Sequence, residues 1–267
     1  MAFARSLLGA LLVVLALSAP AEAGRFVQFP SGDATLIGYL ARPAGKGPFP
    51  AVVLLHGSGG FHSSMVSWAD RLSRWGYVAL AVDSFGPRGL EGVGNVAKVQ
   101  AGDAYAALHY LAALPLVRAS AVALIGFSFG GSSTLANLEH GSPIARLYPD
   151  AFRAGIAFYP ECSGSSGLMS VPLLVLIGDL DDWTPAGDCT DMAAGNSGIP
   201  LSRQPGDRSN VTLIVYPGAH HGFDIADLGI LPGRGATVQG HRLEYDEAAT
   251  RDAAAQVRAF LDGVMKD

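Results

Sequence analysis

The chain has 267 residues, 49% of them hydrophobic, enough to bury the core of one large α/β domain. Its formal net charge is −5 and no basic patch stands out, which argues against nucleic acid as a partner. No Cys or His pair has ligand spacing, so a metal is not expected; an organic cofactor is not expected either.

Residues 1–23 read as a secretory leader. Arg5 gives a positive start, Leu7 to Leu17 form an apolar stretch, and Ala21-Glu22-Ala23 fits the small-residue cleavage rule. The apolar stretch is too short to span a membrane stably. The expected mature protein is one domain over residues 24–267, periplasmic or secreted, with no membrane anchor. Export bears on Cys162 and Cys189, the only two cysteines. An oxidising compartment favours a bridge between them over two buried thiols. In the chain-entropy view that bridge stabilises the fold by about 3 kcal/mol.

Residues 35–41 alternate in polarity and predict an antiparallel edge strand. Near-continuous apolar runs follow at 51–55, 77–82, 122–125, 154–158, 173–177 and 211–216. Runs without alternation are the mark of a parallel sheet buried on both faces. Helical stretches at 65–75, 96–114, 130–139 and 185–194 lie between them, and a last helix spans 247–261 behind an Asp246 N-cap. Alternating strands and helices predict a mostly parallel, doubly wound α/β sheet flanked by helices. Residues 195–210 and 229–240 are rich in turn formers and read as surface loops, the second close enough to a candidate catalytic His to border a substrate site.

The run at 122–125 leads into Gly126-Phe127-Ser128-Phe129-Gly130-Gly131. Strand, Gly-x-Ser-x-Gly and helix in that order are the layout of a nucleophile elbow, in which a sharp turn pushes a Ser hydroxyl out of the sheet. A Ser needs a base, usually a His oriented by a carboxylate, and in such sheets these groups sit at strand carboxyl ends. Two later strand ends supply them. One carries Asp179, Asp181 and Asp182, and the other carries His220 and His221. Only one of two adjacent histidines can face the site. The backbone amides of Phe129 and Ser58, the latter in His56-Gly57-Ser58-Gly59-Gly60, are the candidate oxyanion donors. His56 reads as a buttress of that loop. Trp183 is a candidate for the substrate pocket, and Arg88 for a substrate carboxylate, with an ion pair to Asp83 or Asp103 as its structural alternative. Glu161 is a further candidate acid.

The elbow, Ile177-Gly178-Asp179-Leu180-Asp181-Asp182-Trp183-Thr184-Pro185 and Tyr216-Pro217-Gly218-Ala219-His220-His221-Gly222-Phe223 together resemble the dienelactone hydrolase family of α/β-hydrolases. The resemblance runs from about residue 54 to 261. It implies that Ser128 is the nucleophile, Asp181 the acid and His221 the base, with His220 a bystander. It also implies that Cys162 and Cys189 are the bridged pair of exported members. The family's namesakes use a Cys nucleophile and a restraining Glu near the first loop. Here the nucleophile is Ser, and no matching Glu precedes His56. The expected activity is therefore that of a carboxylic ester hydrolase acting on a small ester or lactone. A prolyl-oligopeptidase-like peptidase and a hydrolase-fold binding protein without chemistry are the alternatives.

Overall fold

The computed structural model describes residues 22–90, 97–196, 210–226 and 235–266. Most of the predicted leader and of the two turn-rich stretches, and the first residue of the second predicted helix, lie outside these. Two antiparallel strands open the chain, β1 (Glu22–Ser31) and β2 (Ala34–Arg42), so the first strand begins two residues inside the predicted leader. The parallel strands are β3 (Phe49–Leu55), β4 (Val78–Asp83), β5 (Val117–Phe127), β6 (Ala154–Phe158), β7 (Leu173–Gly178) and β8 (Val211–Tyr216). Their order across the sheet is β1-β2-β4-β3-β5-β6-β7-β8. From β4 to β8 all neighbours run parallel, and β2 joins β4 antiparallel.

The apolar runs of β3 to β7 form central strands because both of their faces are covered, while β8 closes the sheet as an outer strand. Every residue of β6 and β7 is buried, as is Ala51 to Leu55 in β3. The antiparallel strand at 34–42 is not the edge, contrary to expectation. β1 occupies the edge, joined to β2 through a two-residue turn, Gly32-Asp33, in which Gly32 takes the left-handed φ of 58°. Pro30, which lacks a ladder donor, is tolerated on that outer strand.

The helices are α1 (Ser63–Arg74), α2 (Ala97–Ala112), α3 (Phe129–Leu138), α4 (Ala186–Ala194) and α5 (Glu247–Met265). Asp246 caps α5, accepting from the Ala249 amide at 2.8 Å. The chain crosses from β3 to β4 in one direction and from β4 over β3 to β5 in the other. Right-handed crossovers then put α1 and α2 on opposite faces. The crevice at this reversal, between the carboxyl ends of β3 and β5, is where an open α/β sheet binds ligands. A small hairpin, β9 (Ala236–Val238) and β10 (His241–Leu243), forms at the end of the stretch expected to be loop. It turns through Gln239 and Gly240, both at positive φ. Among the described residues no helix is long and apolar enough to cross a membrane.

Candidate active site

β5 is buried from Ala121 to Phe127, and the chain then reverses at Ser128, whose φ of 52° and ψ of −116° are strained for a residue with a side chain. The flanking glycines make the turn possible. A Cβ on Gly126 would overlap the Gly130 carbonyl, and one on Gly130 would overlap the Leu55 carbonyl of the adjacent strand. The Ser128 amide donates to the Phe158 carbonyl at 2.9 Å, anchoring the turn to β6.

The Ser128 hydroxyl donates to His221 Nε2 at 2.8 Å, and His221 Nδ1 donates to Asp181 Oδ2 at 2.8 Å. An ionised carboxylate only accepts, so this contact fixes the proton on Nδ1 and leaves Nε2 free to take one. Both side chains are buried, His221 at 3% exposure and Asp181 at 4%. Asp181 is itself held rigidly. Its Oδ1 accepts from the amides of Trp183 at 2.9 Å and Thr184 at 2.8 Å, and its Oδ2 from the Thr184 hydroxyl at 3.0 Å.

The three carboxylates after β7 have separate tasks. Asp179 accepts from the Gly218 amide at 2.6 Å and so ties the loop that carries the histidines. Asp181 meets His221. Asp182 accepts from the Arg242 amide at 3.0 Å and so holds the β9–β10 hairpin. His220 turns outward and donates from Nδ1 to the Leu180 carbonyl at 3.0 Å. Glu161 is exposed and accepts from the Ser163 amide at 2.9 Å, in a turn of its own.

The glycine loop after β3 lies against the elbow, so close that a Cβ on Gly57 would sit 3.3 Å from Ser128 Cβ. Phe129 opens α3, where first-turn amides have no partner within the helix, and Ser58 lines the cavity in front of Ser128. His56 supports this loop from beneath. Its Nδ1 donates to the Gly57 carbonyl at 2.7 Å, and its Nε2 accepts from the Ser84 amide at 3.2 Å. Burial pushes its pKa down, consistent with the neutral ring these two contacts require. Gln100 braces the His56 carbonyl at 2.9 Å and accepts from Ser133 at 2.9 Å.

Ser128 and His221 open into a cavity of about 550 Å³. Trp183 lines it, as expected, with its ring 5.2 Å from that of His221 and stacked on His241 at 4.9 Å. Arg88 does not line it. Its guanidinium makes two 2.9 Å bonds to Asp103 and a third to the Ser84 carbonyl. The guanidinium is held against Asp103, away from the cavity lining, so the structural alternative is the one observed.

Four contributors to the site carry no sequence signal strong enough to single them out. Tyr159 packs against His221 and lines the cavity. Thr184 supports Asp181. His62 also lines the cavity. His241 donates from Nδ1 to the Asp182 carbonyl at 2.9 Å while it stacks on Trp183. Cys162 and Cys189 form a disulfide that ties the loop after β6 to α4, next to the Asp181 loop.

The dienelactone hydrolase family model matches residues 36–265. A Synechocystis protein assigned as a carboxymethylenebutenolidase is 25% identical over 262 residues, 90% of this chain and 96% of that one. The quorum-quenching protein AidA of Acinetobacter baumannii is 31% identical over 207 residues, 73% of this chain and 66% of that one. Among solved structures, the propionate-bound esterase Est2 of Thermogutta terrifontis is similar in fold. Its TM-score is 0.67 at 17% identity, over 91% of this chain and 94% of that one.

Proposed function

The chain belongs to the dienelactone hydrolase family, and from that premise we propose that it is an exported serine hydrolase cleaving carboxylic esters through an acyl-enzyme. The observation that carries this reading is the continuous relay from Ser128 through His221 to Asp181, with 2.8 Å at each step, opening into a cavity beside the glycine loop. Ser128 Oγ attacks the ester carbonyl carbon while His221 Nε2 takes its proton. The oxyanion is met by the amides of Phe129 and Ser58. The tetrahedral intermediate collapses, the C–O bond to the alcohol breaks, and His221 returns the proton to the leaving oxygen. A water molecule, deprotonated by His221, then repeats the attack and releases the acid and Ser128.

The leader-like residues 1–23 and the Cys162–Cys189 bridge support export, since such bridges persist in oxidising compartments. The cavity supports a small uncharged ester or lactone. Phe127, Trp183, Ile225, Val238 and Leu243 supply its apolar wall. The relatives' carboxymethylenebutenolidase assignment keeps a lactone in the substrate panel. Purified protein is to be assayed on p-nitrophenyl esters of increasing acyl length and on one lactone, beside Ser128→Ala. Hydrolysis that falls about 10³-fold or more in the variant is expected. Equal rates for the two proteins would overturn the reading.

A further inference from the structure

Beneath the cavity lies a second buried carboxylate that the relay above does not use. Asp224 stands three residues past His221 on the same loop and is 7% exposed. Its Oδ1 accepts from the Tyr159 hydroxyl at 2.6 Å, and its Oδ2 from the Trp68 indole N–H at 2.8 Å. Tyr159 is 1% exposed and has a φ of 37°, a backbone state that a residue with a side chain occupies only when its surroundings hold it there. Its ring lies 4.6 Å from the His221 ring, centroid to centroid, and its carbonyl lies 3.1 Å from the Thr184 hydroxyl oxygen, which stands 3.0 Å from Asp181 Oδ2. Trp68 belongs to α1, the helix that follows the oxyanion loop. Asp224 therefore connects the loop after β8, which carries His221, to the loop after β6 and to helix α1.

We propose that Asp224 is a positioning residue for His221. It clamps Tyr159 against the imidazole and, from the far end of that ring, places a second negative charge near the imidazolium formed as Ser128 attacks. The proposal rests on the reading of His221 as the base.

The surrounding groups fit this role. His221 is faced by Asp181 from the loop after β7 and by Tyr159 from the loop after β6. Asp224 is faced by Tyr159 and, from the α1 side, by Trp68, His62 and Arg71, whose guanidinium lies 4.8 Å over the Trp68 ring. Burial pushes the Asp224 carboxyl up, and the Tyr159 and Trp68 donors pull it back toward the ionised form. An indole N–H can only donate, so the oxygen it meets is an acceptor. The buried location matters because a charge in low dielectric acts over a longer range than one at the surface.

The test is Asp224→Asn, with kcat and KM measured on p-nitrophenyl butyrate across pH beside wild type and Ser128→Ala. Asn preserves shape, and the Tyr159 hydroxyl can rotate to accept from its amide. A nearby anion stabilises the imidazolium that forms as Ser128 attacks, so removing it raises the barrier to that step. The acid limb of kcat/KM is expected to move to lower pH. At the same time kcat is expected to fall about tenfold, with KM within about twofold. A role confined to packing would leave the limb in place. An unchanged limb and kcat in folded Asp224→Asn, with Ser128→Ala inactive, would overturn this proposal alone. Activity retained by Ser128→Ala would remove the triad reading and this proposal with it. Should Asp224→Asn not fold, Tyr159→Phe takes its place, since it keeps the ring and removes the clamp. A severalfold lower kcat at unchanged KM supports the proposal, and wild-type kcat refutes it.

Discussion

The floor of the cavity stands on the carboxyl ends of β5, β6 and β7, whereas its rim includes the two-stranded β9–β10 hairpin. The floor is locked. Ser128, Tyr159, Asp181 and His221 are linked by hydrogen bonds, and the first three follow strands that are largely buried, while His221 follows the outer strand β8 and is itself buried. The rim is attached at few points. Asp182 holds the Arg242 amide, His241 stacks on Trp183, and Val238 is 39% exposed. Reacting atoms must be held to a fraction of an ångström, and only the packed sheet supplies that rigidity. Substrate selection tolerates the looser element, which can change in sequence without disturbing the chemistry.

If the floor carries the chemistry, its variants should act on kcat. The largest of these effects after loss of Ser128 itself is expected from Asp181→Asn. An amide in place of the carboxylate no longer selects the Nδ1–H tautomer, and kcat should fall about 10³- to 10⁴-fold with the fold intact. A loss under tenfold would mean that another group orients His221.

Arg88→Ala sharpens the contrast from outside the cavity. It strands the Asp103 carboxylate, 1% exposed, without its cation, and should lower stability by about 3 kcal/mol in denaturant melts. Its KM for neutral and anionic esters should change in parallel, because the guanidinium does not face the substrate. A rise in KM confined to the anionic ester would restore a binding role. The smallest effect is expected at the rim. His241→Ala removes a stacking partner of Trp183 and should raise KM about twofold to fivefold with kcat unchanged. A change in kcat instead would tie the hairpin to the chemistry.

The inner parallel strands were legible because both-face burial leaves an unbroken apolar run, as in Leu173-Leu174-Val175-Leu176-Ile177, and the outer strand β8 because Val211–Tyr216 is apolar at all but Thr212. The elbow and the two later loops were legible because their residues stand at strand ends in a fixed order. β1 was missed although Gly32-Asp33 is a two-residue hairpin signal. Pro30 interrupts the run before it, and only an outer position accommodates that proline. Choosing among Asp179, Asp181 and Asp182 needed the family resemblance, since all three lie within four residues and each turns out to hold a different partner. Tyr159 and Asp224 were not legible at all. Their meeting depends on β6 lying two strands from β8, a fact of sheet order that no local spacing records.

The central claim is that Ser128 is an activated nucleophile. Mass spectrometry of the purified protein after a fluorophosphonate probe tests it most directly. One adduct per chain is expected, on the peptide carrying Ser128, and its loss is expected in His221→Ala. An adduct elsewhere, or none on a protein that still hydrolyses esters, would contradict it.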